Sequence, residues 1–139
     1  MRKRLFWLVL TLPLLGSLAG AACTTAPPQV NLGNAFILLP GARAAITGEG
    51  LTVRFLDVTE DSRCPSEVVC IQAGQAVARV ELESAASKDM ALLTEVGGGT
   101  GLTYLTYREY TLAFRITPYP VSTQSIAANA YRLELTVTK

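Results

Sequence analysis

The segment QAVARVELES, residues 75–84, shows the pattern that decides the fold. Apolar residues on one side of the extended chain alternate with polar residues on the other: Ala76, Ala78, Val80 and Leu82 against Arg79, Glu81 and Glu83. Alternation with a period of two is typical of an antiparallel strand with one face in the core and the other in water. The segment therefore predicts a half-buried β-strand.

The same alternation recurs along the chain. Strands are predicted at 35–39, 43–47, 50–59, 90–96, 102–107, 110–117 and 131–138. Turn-forming residues separate them, at 40–41, 48–50, 97–101, 108–109 and 118–120. The best helical segment is a single turn at 125–129. About eight short strands at this spacing predict an all-β domain, either a single antiparallel, Ig-like β-sandwich or a small barrel.

A cysteine-containing stretch, DSRCPSEVVC at 61–70, lies just before the strand predicted at 75–84. Five residues separate Cys64 from Cys70, and in an oxidising compartment such a pair forms a disulfide. On chain entropy a ring this small contributes about 2 kcal/mol. A redox centre favours a spacing of about two residues. A zinc site needs about four nitrogen or sulfur ligands, and the chain has no histidine. We predict one structural disulfide.

The N-terminus has the layout of a secretory signal peptide. Three basic residues at 2–4 precede an apolar run at 5–15 and small residues at 16–22. The apolar run is shorter than the roughly 20 residues that span a bilayer. We predict a signal peptide at 1–22 and export of the rest of the chain.

Cys23 directly follows Gly20-Ala21-Ala22, and this segment resembles the lipobox of bacterial lipoproteins. The resemblance implies a lipid on Cys23, which anchors the chain in a membrane of the cell envelope. The small, polar and proline-containing residues at 23–34 suit a tether, and the domain is predicted at 35–139. Gly20 stands where a lipobox usually has leucine, and Ala19-Gly20-Ala21 also fits ordinary signal peptidase. Secretion as a soluble protein is the alternative.

Charge and composition exclude several functions. The chain has 12 basic and 11 acidic residues, but three basic residues precede Cys23, so the remainder has a net charge near −2. A net negative charge does not favour binding to nucleic acid, whose backbone is itself negative. Without histidine, neither a Ser-His-Asp nor a Cys-His set can form. The glycine-rich segment 97–101 lacks the lysine of a phosphate-binding loop. We predict a monomeric, non-enzymatic protein with no cofactor and no metal.

Residues 61–82, DSRCPSEVVCIQAGQAVARVEL, resemble a motif of small bacterial lipoproteins and secreted proteins, most of them without assigned function. In that family an Asp-Ser-Arg-Cys-Pro loop leads to a second cysteine, and a Pro-Tyr-Pro turn comes before a last strand that opens with an aromatic residue. Pro118–Pro120 and Tyr131 occupy those positions here, and the resemblance covers about residues 35–138. Gln72 stands where the family often has tryptophan. The resemblance implies the fold and the export, and supplies no activity.

Two loops, 60–72 and 118–124, are the candidate binding surfaces. Their candidate residues are Asp61, Arg63, Glu67, Gln72 and Tyr119. The predicted role is to bind an envelope protein or to support envelope structure. The alternative is inhibition of an extracytoplasmic hydrolase such as a protease.

Two further groups of residues leave alternatives open. Asp57, Glu60, Asp61 and Glu67 either hold Ca²⁺ or form a solvated acidic loop, in which Arg63 pairs with an acid at the surface. Tyr104, Tyr107, Tyr110 and Tyr119 form either a binding face or part of the core.

Overall fold

The computed structural model describes residues 25–97, 101–122 and 124–139. The predicted signal peptide and the predicted lipidation site at Cys23 lie outside these residues. So do the middle of the predicted glycine-rich loop and one residue of the predicted 118–124 loop.

The described residues form nine strands and one short 3-10 helix. The strands are β1 (Gln29–Val30), β2 (Ala35–Leu38), β3 (Arg43–Ile46), β4 (Leu51–Asp61), β5 (Gln75–Glu83), β6 (Lys88–Val96), β7 (Thr103–Tyr107), β8 (Tyr110–Thr117) and β9 (Arg132–Thr138). The helix is Ala128–Ala130, slightly beyond the turn predicted at 125–129. Each predicted strand is present within one or two residues of its predicted ends. Asp61, which the sequence placed in the loop, is the last residue of β4.

The strands form two sheets that are not closed into a barrel. The five-stranded sheet has the order β1-β3-β4-β5-β6, and the four-stranded sheet has the order β2-β9-β8-β7. The predicted β-sandwich is therefore confirmed, and the barrel alternative is wrong. Neighbouring strands are antiparallel except for β1 and β3, which run parallel with Gln29 opposite Ala45.

The chain joins the sheets earlier than the predicted domain start at residue 35. Ala45 donates its backbone N–H to the carbonyl of Pro28 at 2.9 Å, and Gly33 donates to Val137 at 2.8 Å. The last part of the predicted tether, from Pro28 to residue 34, is thus built into both sheets.

Two register shifts in β4 explain why its alternation breaks after Phe55. The pairing with β5 is irregular between Phe55 and Asp57 and again between Val58 and Glu60. Such bulges bend a strand and re-aim its side chains. Asp57 lies opposite Arg79 and pairs with it on the outer face, while Val58 packs against the core.

The core lies between the two sheets and is almost wholly apolar. Its largest fully buried side chains come from both sheets and include Leu51, Phe55, Leu82 and Leu93 from one and Leu112, Phe114, Leu133 and Leu135 from the other. Among the described residues, the buried polar or charged ones are Arg63 and Glu95. Both lie at the end of the sandwich where β4, β6 and β8 end and β5 and β9 begin, which we call the loop end.

Candidate functional site

Arg63 lies two residues after the end of β4, and its side chain is 0% exposed. Its Nε and Nη2 atoms donate to the two carboxylate oxygens of Asp61, at 2.8 and 2.7 Å. Nη1 donates to Glu95 at 3.1 Å and to the carbonyl of Ile116 at 2.7 Å, and Nη2 also donates to the carbonyl of Pro118 at 3.0 Å. All five N–H donors of a guanidinium group are therefore used. The sequence interpretation of Arg63 as a surface residue is wrong, because it fills the loop end of the core.

Glu95 connects Arg63 to the opposite sheet. It is on β6, and its second oxygen accepts the backbone N–H of Ile116 on β8 at 2.6 Å. Glu95 was not among the site residues predicted from the sequence. The signal was present, since Ala91, Leu93 and Glu95 share one face of an alternating strand, which places a carboxylate towards the core.

Tyr131 completes the cluster from the four-stranded sheet's side. Its hydroxyl donates to Asp61 at 3.1 Å. Burial, together with the negative charge of Asp61, raises the pKa of Tyr131 to about 12. Burial alone would lower the pKa of Arg63, but the hydrogen bonds and charges of Asp61 and Glu95 outweigh it and raise that pKa. Tyr131 is thus a neutral donor and Arg63 a permanent cation. We call Asp61, Arg63, Glu95 and Tyr131 the buried cluster.

The buried cluster also contacts the start of the predicted 118–124 loop, at Pro118 and Tyr119. The guanidinium carbon of Arg63 lies 4.9 Å from the centre of the Tyr119 ring, a cation–π contact. The Thr117–Pro118 peptide bond is cis. Tyr119 is half-buried above Arg63, so its ring contributes to the packing of the cluster as well as to the surface.

The predicted disulfide between Cys64 and Cys70 is confirmed, with the Cα atoms 5.9 Å apart. The base of the loop that the disulfide closes continues the hydrogen-bond ladder between β4 and β5. The backbone N–H of Ser62 donates to the carbonyl of Gln75 at 2.7 Å, and that of Cys64 donates to the carbonyl of Ala73 at 2.9 Å. Gly74 lies where these two backbone segments come close together, with φ +65°. A Cβ at this position would lie 1.8 Å from the carbonyl oxygen of Ser62. The loop 64–72, which we call the clipped loop, is therefore fixed at its base.

The tip of the clipped loop is apolar and points into water. Val69 and Ile71 have exposed fractions of 102% and 105%, and Val68 is also exposed. The two β-branched residues flank Cys70, whose bond to Cys64 restrains both of them. We call Val68, Val69 and Ile71 the apolar tip. Sequence reasoning missed them, because a loop has no period that separates buried from exposed positions.

The two predicted binding loops lie side by side. Glu67 accepts hydrogen bonds from the backbone N–H and the hydroxyl of Ser122, at 2.7 and 2.9 Å. These bonds lower the pKa of Glu67, with the backbone donor as the larger cause. Ser66 donates to Pro120 at 3.2 Å. Glu67 and Gln72 are exposed. Of the five candidate residues, Arg63 is buried, Asp61 is half-buried with its side chain only 8% exposed, and the other three reach the surface.

The acidic residues near the loop do not converge. Asp57 pairs with Arg79, Asp61 with Arg63, and Glu67 with Ser122, while Glu60 accepts from Ser62 at 3.3 Å. Within 25–97, 101–122 and 124–139, no group of three or more acidic, cysteine or histidine side chains is arranged to hold a metal ion. Nothing in the geometry favours the calcium alternative.

The tyrosines divide between core and surface. Tyr110 is buried and Tyr107 packs against the core, whereas Tyr104 is strongly exposed on β7. The four do not form one binding face. Open grooves of about 430 and 290 Å³ lie beside Tyr119 and Tyr131, and another of about 420 Å³ lies at the far end beside Tyr107 and Tyr110. The apolar tip lines none of these grooves and protrudes from the surface.

No protein-family model, no curated protein and no solved structure matches this chain. In the part of the chain that the structure describes, no helix is long and apolar enough to cross a membrane.

Proposed function

We propose that this protein is an exported, non-enzymatic binding protein that presents the apolar tip of its clipped loop to a partner protein of the cell envelope. The observation that carries the proposal is the exposure of Val69 and Ile71 on a loop that the disulfide and the buried cluster hold in place. Isolated exposed apolar residues are ordinary, but apolar side chains grouped on a fixed protrusion are typical of interaction sites.

The energetics suit a binding role. Burying one large aliphatic side chain in a partner contributes about 1.5–3 kcal/mol. Binding normally loses part of this to the ordering of flexible loops, and a loop that is already fixed avoids much of that cost. This loop is ordered before any partner binds. It is held by the disulfide, by the backbone hydrogen bonds of Ser62 and Cys64, and by the bonds between Glu67 and Ser122.

The state of the buried cluster supports a structural rather than a catalytic role. Arg63 has no donor left for a substrate, because protein oxygens accept all five. A general acid or base works best with a pKa near the operating pH, and burial moves the pKa of Tyr131 further away, to about 12. The cluster positions the clipped loop.

Export and anchoring rest on the sequence of residues 1–23 and agree with the presence of a disulfide. If Cys23 carries the lipid, the tether is short, because the chain is already hydrogen-bonded to β3 at Pro28. Five fully extended residue steps span at most about 18 Å. The domain then stays near the membrane surface, and so does its partner.

The test is photo-crosslinking in the native host, with the probe at position 69. A matched probe at Ile37 serves as control, since Ile37 is also exposed but lies on β2. We expect a discrete protein band from position 69 and none from position 37. The second change Ile71→Asp should remove the band while export continues. No band at position 69, or the same bands from both positions, would refute the proposal.

One observation also favours the alternative of hydrolase inhibition. A protruding, disulfide-closed loop with aliphatic side chains has the shape that enters an enzyme cleft. A panel of extracytoplasmic proteases tests it directly. Inhibition by the wild-type protein that Val69→Asp abolishes would select this function, and no inhibition across the panel would remove it.

A further inference from the structure

Strand β6 is a long edge of the five-stranded sheet. Its nine residues pair along their whole length with β5, from Lys88 opposite Glu83 to Val96 opposite Gln75. No described strand pairs with its other side. The other edge strands are shorter, with two residues in β1, four in β2 and five in β7.

This edge lacks the usual protection against pairing. Natural edges are kept apart by shortness, proline, bulges or exposed lysine. The register of β6 with β5 is continuous, and the strand contains no proline. Its lysine is at the first position, where Lys88 pairs with Glu81 at 2.9 Å. The outer face beyond it, at Met90, Leu92 and Val96, is apolar and exposed.

The neighbouring edge strand of the other sheet, β7, also carries exposed apolar side chains on its own outer face. Leu102 and Tyr104, in and beside β7, are also exposed. Half of the strongly exposed large apolar side chains of the described residues thus belong to β6, to β7 or to the segment joining them: Met90, Leu92, Val96, Leu102 and Tyr104.

We propose that the free edge of β6 binds a second copy of this chain, with β6 pairing antiparallel to β6 of the other copy. The two five-stranded sheets then become one sheet that crosses a two-fold axis. This inference is independent of the proposed function, and it replaces the monomer predicted from the sequence.

A second copy fits this edge because the strand is complementary to itself. Antiparallel pairing about Leu93 sets Met90 of each copy opposite Val96 of the other and Leu92 opposite Thr94. No two charged residues face each other in this register, since Glu95 lies opposite Ala91. The two copies have the same strand length and the same alternation. The unpaired backbone N–H and C=O groups of each edge can therefore hydrogen-bond to those of the other edge, running in the opposite direction. On the outer face of the joined sheet, the apolar side chains of the two copies then lie next to each other across the two-fold axis.

The test measures the mass of the full chain, purified as its host processes it, by sedimentation equilibrium over a range of concentrations. We expect a dimer. Leu92→Lys should weaken self-association at least about tenfold, equivalent to about 1.4 kcal/mol. Ile37→Lys is the matched control and should leave the dimer intact, because Ile37 is 60% exposed against 59% for Leu92 but lies on a different edge.

Amide hydrogen exchange supplies a second measurement. The backbone amides of 88–96 that face away from β5 should gain protection as the concentration rises. A wild-type protein that stays monomeric at every concentration overturns the proposal. So does an equal effect of the two lysine variants, or a dimer without added protection in β6. Protection of β6 only when a foreign peptide is added would assign the edge to another partner.

Discussion

Arg63 donates to Glu95 across 3.1 Å, although 32 positions separate them in the chain. The same guanidinium and the same carboxylate both bond the backbone of Ile116 in the opposite sheet. The pair therefore closes the loop end of the sandwich, where the apolar core stops. Because Arg63 is only one residue before Cys64, the closure also fixes the clipped loop.

Arg63→Met should lower the free energy of unfolding by about 3–5 kcal/mol, because it leaves the carboxylates of Asp61 and Glu95 buried without their cation. Denaturant unfolding measures the loss. The matched control is Arg79→Met, which removes an arginine from a pair whose side chains are 44% and 43% exposed. An exposed pair contributes at most about 1 kcal/mol. Equal losses from the two variants would contradict a buried cluster.

Tyr131 should make stability fall at high pH. Its pKa is raised from 10.0 to about 12 in the folded protein, so the folded state keeps a proton that the unfolded chain releases. The stabilisation is complete below pH 10 and is lost as the pH rises through 12. The stability of the Tyr131→Phe variant should not show this decrease between pH 10 and 12. Unfolding free energies of both proteins between those pH values measure it, and parallel curves would contradict the raised pKa.

Cys64→Ser should lower the free energy of unfolding by about 2 kcal/mol and keep the fold, since the disulfide closes a small ring. The melting temperature and the far-ultraviolet circular dichroism spectrum measure the two effects. The double change Cys64→Ser/Cys70→Ser is the control for a free thiol and should give the same loss. An unchanged melting temperature in both would mean that the bridge does not stabilise the domain.

Gly74→Ala should be far more disruptive than the same change at Gly41. Both glycines have positive φ, +65° and +84°, so both variants carry a backbone strain of about 1–2 kcal/mol. At Gly74 the new Cβ would also lie 1.8 Å from the carbonyl oxygen of Ser62, whereas at Gly41 nothing lies within 4 Å. Thermal unfolding of the two variants compares them, and similar losses would show that the base of the clipped loop can open freely.

The sequence predicted the strands well, because two-residue alternation is a direct consequence of one sheet face packing on a core. It missed β1, since two residues are too short to show a period. The disulfide followed from two nearby cysteines, Cys64 and Cys70, in a chain predicted to be exported to an oxidising compartment. The burial of Arg63 did not follow, because an arginine in a charged loop normally lies at the surface. Only the three-dimensional approach of Glu95, Ile116 and Pro118 supplies enough acceptors to bury it.

The central position of β9 in its sheet has a consequence for biosynthesis. This strand lies between β2 and β8, and Ala35 pairs with Thr136, about a hundred residues later. Contacts between segments so far apart slow folding, and here the four-stranded sheet cannot assemble until residues 132–138 have left the ribosome. The core between the two sheets can therefore be completed only after β9 has been synthesised, although β2, its partner in the sheet, is made about a hundred residues earlier.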